Sequence, residues 1–313
     1  MRKARLIYNP AAGRFPAKTL VRRAKDVLKA AGWDVRMVIS RSAKHLHTHT
    51  VKAVRDGCEA VFVAGGDGSV GAVGTALVGT DTALGVLPAG TSNVWAHDMG
   101  LETLAWSRWL ALEHAAKRLA RSQIRSVDVG VCNGRPFLLW TGIGLDGRMT
   151  GSLEPLGRLG KTFAIPQYFT RGVWNIRDWK SMPLRVRALG RNWEDRYLVV
   201  IASNICSYAG GLFSLSPDAK VDDGLMDYWL VGGDSLRDAI VRVVQVLRGS
   251  HLEEPKVVHF QADKVIVEGD DVLPMQCDGE PGTIEPPLEF SVKPRALKVL
   301  VPDDDVPRLF SQS

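Results

Sequence analysis

Apolar residues follow two alternating periods along the first part of the chain. Ala4–Tyr8 reads as a short buried strand. Lys18–Ala31 places Leu20, Ala24, Val27, Leu28 and Ala31 on one helical face, and Gly32 supplies a stop. Trp33–Ile39 alternates like a strand, and Ala43–Asp56 carries a weaker helical pattern. Ala60–Ala64 is a continuous apolar strand pattern, ending in Gly65-Gly66. Val70–Val78 reads as a helix, Ala83–Leu87 as a strand, and Glu102–Arg121 as a long closing helix. Strands alternating with helices imply a parallel sheet wrapped by helices, which binds ligands beyond the carboxyl ends of its strands.

After about Ser126 the pattern shifts to short β-branched and aromatic runs: Val127–Val131, Phe137–Thr141, Tyr197–Ala202, Met226–Val231, Lys264–Glu268 and Ala296–Val301. Turn residues separate them, among them Asn133-Gly134, Asp222-Asp223-Gly224 and Asp278-Gly279. The expected architecture is therefore an α/β domain over residues 1–125 and a mostly antiparallel β-sandwich over 126–301. A tail, 302–313, is placed to pack back on the first domain.

Composition narrows the class without naming a function. The chain has 313 residues, enough for two domains, and 45% of them are hydrophobic, as in ordinary globular proteins. Forty basic residues against 34 acidic leave +6, a surplus that suits anionic partners. Four cysteines at 58, 132, 206 and 277 form no C-x-x-C pair, which excludes a zinc ribbon and points to reduced thiols in a cytoplasm. The N-terminal apolar run stops at Asn9-Pro10, too short for a signal peptide, and no window reaches a membrane span, so membrane contact is expected to be peripheral.

Three glycine-rich segments fall where ligands of a parallel sheet bind. Asn9-Pro10-Ala11-Ala12-Gly13 joins the first strand to the first helix, and its small residues let backbone N–H groups approach an anion. Gly65-Gly66-Asp67-Gly68-Ser69 adds a carboxylate suited to a metal or a nucleotide, although a tight turn with Asp67 or Ser69 as helix cap has the same composition. Residues 66–71 also match G-x-G-x-x-G, yet no acid follows about 20 residues on, as the dinucleotide fingerprint requires. Pro88-Ala89-Gly90-Thr91-Ser92-Asn93 is the third segment: Thr91 and Asn93 offer a hydroxyl and an amide beside an unencumbered backbone, although Ser92 or Asn93 capping a helix that starts at Trp95 has the same composition. His45, His47 and His49 lack an acidic or thiol partner, and a solvated helix face accounts for them. Residues 148–196 hold ten basic and four acidic side chains interleaved with six aromatics, a mixture that fits an anionic membrane interface, single-stranded nucleic acid or a solvated basic face.

Taken in order, Asn9-Pro10-x-x-Gly13, Gly65-Gly66-Asp67-Gly68-Ser69, Pro88-x-Gly90-Thr91-x-Asn93, Gly142-x-Gly144-x-Asp146, Asp222-Asp223-Gly224-Leu225 and Asp278-Gly279-Glu280 resemble the diacylglycerol kinase catalytic-domain family. That family includes bacterial lipid kinases and the sphingosine and ceramide kinases. The resemblance implies an α/β domain like those of NAD kinases and phosphofructokinases, a β-sandwich lipid domain, and ATP in the cleft between them. It implies ATP contacts at Asn9, Pro10, Ala11, Ala12, Gly13, Gly65, Gly66, Asp67, Gly68, Ser69, Thr91 and Asn93, with Ser40 as a further nucleotide position. It implies a structural Mg²⁺ on the Lys220 carbonyl, Asp223 and the Leu225 carbonyl, oxygen ligands suited to that ion. Glu280 matches the proton acceptor, and Asp67 competes with it for that role while positioning a catalytic Mg²⁺.

The expectation is thus an ATP- and Mg²⁺-dependent lipid kinase of phospholipid biosynthesis, cytoplasmic and peripherally membrane-associated. It would act on a lipid substrate, bind no nucleic acid, and be compatible with a homodimer. Ser92 and Val94-Trp95 depart from the family pattern around Asn93, and Cys277 replaces an aliphatic residue, which leaves the identity of the lipid open. Two competitors remain: a soluble NAD or sugar-phosphate kinase using the same Gly-Gly-Asp-Gly loop, and a non-catalytic lipid or nucleic-acid binder.

Overall fold

The computed structural model describes residues 1–13, 16–105, 107–152, 181–208, 211, 213–235, 238, 241, 256–303 and 307–311. Most of the basic, aromatic stretch at 148–196 therefore lies outside the described residues. The first half is built of β1 (Arg2–Tyr8), α1 (Lys18–Ala30), β2 (Trp33–Ile39), α2 (Ala43–Arg55), β3 (Ala60–Gly65), α3 (Asp67–Leu77), β4 (Ala83–Pro88), α4 (Val94–Asp98) and α5 (Ala111–Ala120). Strands β2, β1, β3 and β4 pair in parallel in that order. The crossing helices cover faces on which Leu6, Phe62, Val63 and Leu87 are fully buried.

Three expected elements are redrawn. Helix α3 begins at Asp67 rather than Val70, because the amides of Ser69 and Val70 already donate to the Gly66 carbonyl and an acid in the first turn suits the helix dipole. The long closing helix shrinks to α5. Its first residues stay irregular so that Leu104 reaches the core beside Leu101, tertiary burial outweighing helix propensity. Asn93 precedes α4 without capping it: its backbone is left-handed and its side chain bonds Gly90 instead.

The second half continues with β5 (Ser122–Cys132), β6 (Arg135–Phe137), β7 (Trp140–Gly144), α6 (Leu145–Ser152), β8 (Met182–Ala188), β9 (Arg191–Ser203), β10 (Ser207–Tyr208), β11 (Phe213–Ser214) and β12 (Met226–Gly232). It closes with β13 (Val257–Ala262), β14 (Lys264–Glu268), β15 (Leu273–Cys277), β16 (Glu280–Ile284) and β17 (Leu288–Pro302). The expected strand at Phe137–Thr141 splits between β6 and β7, and Asn133-Gly134 and Asp278-Gly279 form the tight turns of the β5–β6 and β15–β16 hairpins. The architecture is an antiparallel β-sandwich beside an α/β domain, as the pattern implied. Its own core gathers Phe137, Tyr197, Tyr228, Met275 and Phe290.

One strand belongs to both halves. The first part of β17 pairs with β14, the last part meets β4 in parallel at Val299↔Leu84, and β5 runs antiparallel along both parts. The register slips between Lys293 and Leu297, where Arg295 takes a left-handed φ of 51°. Asp128 of β5 holds this irregularity. Fully buried, it accepts from the Arg295 amide at 2.6 Å and the Gly224 amide at 2.6 Å. Leu309 and Phe310, beyond β17, are buried in the first core, and the Val221 amide donates to the Leu309 carbonyl at 2.9 Å.

Replacing Asp128 by Ala removes two part-buried hydrogen bonds to a buried carboxylate, each worth about 1.5–3 kcal/mol. The expected loss in a urea unfolding series is about 3 kcal/mol or more, and a loss under about 1 kcal/mol would contradict this account of the bend.

Candidate active site

The three glycine-rich segments close on one another at the carboxyl ends of β1, β3 and β4. Asn9 is the hub of the first. Its amide donates to the Ala64 carbonyl at 3.0 Å, its Oδ1 accepts from the Ala11 amide at 3.0 Å, and its Nδ2 donates to Ser69 Oγ at 2.9 Å. Gly13 has a φ of 74°, and a Cβ there would run into the Ala89 carbonyl, so only glycine lets the first and third segments touch. The backbones of Gly66 and Gly90 meet just as closely. Asn93 seals the third segment, with Oδ1 on the Gly90 amide at 2.8 Å and Nδ2 on its carbonyl at 3.0 Å.

Asp67 stands in the first turn of α3, in the middle of this group. Its Oδ1 accepts from the Trp95 amide at 3.2 Å. Burial raises the affinity of its carboxyl for a proton, opposed by the amides of Val94, Trp95 and Asn93. Three backbone-rich loops beside the N-terminus of an 11-residue helix form a cradle for an anion such as a polyphosphate. Thr91 is at the half-exposed rim and Gly68 is exposed, whereas Ser40 is fully buried and donates its hydroxyl to the Ser42 carbonyl at 3.1 Å.

The second domain brings a carboxylate of its own, Asp278, against α3. Asp278 lies at the tip of the β15–β16 hairpin, with each oxygen accepting a backbone N–H: Leu138 at 2.9 Å and Leu139 at 2.8 Å. A Cβ on Gly71 of α3 would come within 2.8 Å of Asp278 Oδ2, and one on Gly74 within 2.9 Å of Leu138 Cδ2. The helix is thus notched on the face that receives the second domain. Burial pushes the Asp278 carboxyl up to about 6, and the nearby charge of Asp67 adds to the rise. Glu280, two residues on, is half-exposed and paired with Arg135 at 3.1 Å. Asp146 accepts from the Gln276 amide at 2.7 Å and from the Tyr208 hydroxyl, and burial raises its pKa.

The 220–225 loop is tied to β5, the Asp128 amide donating to the Val221 carbonyl at 2.6 Å. Lys220 Nζ donates to the Arg308 carbonyl at 2.5 Å, and Asp223 Oδ1 accepts from the Leu225 amide at 2.9 Å. Burial raises the Asp223 pKa, and the charges of Asp128, Asp227 and Asp222 add to it. Among the described residues no three His, Cys, Asp or Glu side chains group as a metal site, so an ion here would rest largely on carbonyl oxygens. His45 and His49 stand 6.5 Å apart along the face of α2, and burial with the Arg5 charge lowers the pKa of His49.

Comparison with known proteins bears on both halves. Residues 3–132 match the diacylglycerol kinase catalytic domain, and residues 143–301 match the YegS C-terminal NAD kinase beta sandwich-like domain. The chain belongs to the diacylglycerol kinase family. Among curated relatives of this family, the diacylglycerol kinase of Bacillus subtilis (strain 168) is 25% identical over 99% of this chain and 99% of its own length. That of Staphylococcus carnosus (strain TM300) is 27% identical over 97% of this chain and 96% of its own. The crystal structure of a diacylglycerol kinase from Bacillus anthracis str. Sterne superposes with a TM-score of 0.72 at 20% identity, covering 97% of this chain and 98% of that one. This family membership makes the protein a kinase. No helix among the described residues is long and apolar enough to cross a membrane.

The sequence alone did not single out Asp278, whose Asp-Gly setting reads as a hairpin turn and is one. The available signal was in α3: glycines at 71 and 74 inside a helix cost about 1 kcal/mol each against Ala, which argues for close approach by another segment.

Two outcomes are expected. Gly13→Ala should leave the fold cooperative but weaken nucleotide binding at least about tenfold by titration calorimetry, because the loop must move off Ala89. An unchanged affinity would separate the cradle from the nucleotide. The second outcome concerns pH. The folded pKa of Asp278 is above its unfolded value, so the folded state binds the extra proton and this residue's contribution to stability falls as pH rises from about 4 to about 6. The unfolding free energy of wild type relative to Asp278→Asn should drop by roughly 2–3 kcal/mol across that window and level off above it. A flat difference would show that Asp278 does not titrate there.

Proposed function

We propose that the protein is an ATP- and Mg²⁺-dependent lipid kinase that transfers a γ-phosphoryl group to a lipid hydroxyl at a membrane surface. The observation that carries this reading is the meeting, at α3, of an anion cradle from one domain with the Asp278 hairpin of the other, which also carries Glu280. Phosphoryl transfer asks mainly for positioning and charge neutralisation; the cradle and the hairpin serve the first, and a bound cation would supply the second.

In this reading Asn9, Ala11, Ala12 and Gly13, with Gly65, Gly66, Gly68, Ser69, Thr91 and Asn93, hold the nucleotide through backbone N–H groups and small polar side chains, while Pro10, which has no N–H, shapes the first loop against it. Ser40 supports the edge of that pocket from its buried position against Ser42 rather than by presenting its hydroxyl. Bound Mg²⁺ would neutralise phosphate charge. Asp67 would orient it, and the Lys220 carbonyl, Asp223 and the Leu225 carbonyl would hold a second ion, a reading supported by the negative charge that Asp128, Asp227 and Asp222 add around Asp223.

Glu280 is the proton acceptor for the lipid hydroxyl. Its pairing with Arg135 is a half-exposed one, worth little in water, so the carboxylate can leave it for a substrate. Asp278 keeps the hairpin that carries Glu280 docked on α3, and with it the distance between acceptor and nucleotide. The +6 charge favours approach to anionic lipid.

The test is ATP consumption with defined lipids in mixed micelles and Mg²⁺. Wild type should show lipid-dependent turnover, lowered about 10²-fold or more by Asp67→Ala and by Glu280→Ala. Loss in Asp67→Ala alone would move the base from Glu280 to Asp67. Turnover of NAD or a sugar phosphate, with none on any lipid, would overturn the lipid-kinase reading.

A further inference from the structure

Helix α4 is a strut about 7 Å long with a functional contact at each end. Its first turn supplies the Trp95 amide that Asp67 accepts, directly after the Asn93–Gly90 closure of the third loop. Its last residue, Asp98, reaches across to the other domain. One Asp98 oxygen accepts from the Ser207 amide at 3.0 Å and the other from the Ser207 hydroxyl at 2.5 Å. The next residue, Tyr208, gives its hydroxyl to Asp146 and sets its ring 5.4 Å from that of Trp140. The Trp140 carbonyl in turn accepts from the Asp278 amide at 3.0 Å. Asp98 therefore sits in a closed circuit running from Asp67 along α4 to Ser207, Tyr208 and Trp140, then through Asp278 back to α3.

The choice of a carboxylate at this point is informative. Burial raises the Asp98 pKa, opposed by hydrogen bonds from the Ser207 hydroxyl and the Ser207 and Cys206 amides. Desolvating a carboxylate is a poor way to gain stability, and an apolar pair of similar size would hold two surfaces together at least as well. What a two-oxygen acceptor provides is a fixed register between α4 and the 206–208 segment. Nothing in the sequence pattern assigned Asp98 or Ser207 a role.

We infer that Asp98 is a positioning residue: through Ser207 it fixes the acceptor side of the cleft, including Asp146, relative to the Asp67 end of the nucleotide cradle. This rests on the kinase reading. The contact lies outside the loops that hold the nucleotide, so its loss leaves nucleotide affinity intact and slows transfer. In Asp98→Asn the new carboxamide can still accept from the Ser207 amide and donate to its hydroxyl, so that variant keeps the register.

The experiment is steady-state kinetics in lipid mixed micelles for wild type, Asp98→Ala, Asp98→Asn, Ser207→Ala and the Asp98→Ala/Ser207→Ala double variant. Calorimetric affinity for a non-hydrolysable ATP analogue and thermal unfolding are measured alongside. Asp98→Ala and Ser207→Ala should each lower kcat about ten- to a hundredfold, as expected for displacement of reacting groups by about 1 Å. Analogue affinity should stay within about twofold, the double variant should be no slower than the slower single one, and Asp98→Asn should recover most of the rate. Wild-type kcat in Asp98→Ala would overturn the proposal and leave the kinase reading standing. Parallel loss of analogue affinity, or fully additive losses, would overturn it too, since a general loss of structure gives that result. Absence of lipid turnover in wild type itself would remove the kinase reading and this inference with it.

Discussion

Asp278 gives up its hydration to lie against α3, and the arrangement of the cleft follows from that contact. The carboxylate is enclosed and meets two backbone amides of the β6–β7 segment while its outer face presses on Gly71. Any side chain at position 71 would hold the second domain off by the width of a methyl group. The same displacement would carry the hairpin with Glu280 away from the nucleotide cradle. Proximity between donor and acceptor is thus decided by the absence of an atom on one helix.

The first domain prepares the other half of the cleft by a similar device. Its three loops touch backbone to backbone, with Asn9 and Asn93 as internal struts, so the cradle is formed before any ligand arrives. Preformed amide donors need no reorganisation when charge develops, which is the physical advantage of building a phosphate site from rigid turns. Strand β17, which pairs with strands of both halves in one continuous sheet, and Asp128, which pins its bend, keep the two halves from drifting apart at the base.

Much of this was legible in the chain. The mostly apolar runs at 4–8, 60–64 and 83–87 are buried on both faces, as parallel strands covered by helices are. The glycine segments at 9–13, 65–69 and 88–93 follow those strands, so the topology of a parallel sheet brings them to one edge. Less visible were the elements whose conformation depends on partners far along the chain. Residues 102–110 carry a helical composition, yet Leu104 goes to the core beside Leu101 instead of lining a helix face. Asn93 looks like a helix cap yet bonds Gly90, because the loop that needs closing is the one that meets Gly66.

The sequence by itself determined the fold class, the order of the two domains and the edge at which chemistry would be found, since periodicity and turn residues act locally and survive in any context. Tertiary structure alone decided which carboxylates share the cleft. Asp67, Asp98, Asp146 and Asp278 lie far apart along the chain. What joins them is burial together and the hydrogen bonds that burial demands, through Trp95, Ser207, Gln276, Leu138 and Leu139. A carboxylate's surroundings set both its charge and its reach, and those surroundings come from segments that no local pattern connects.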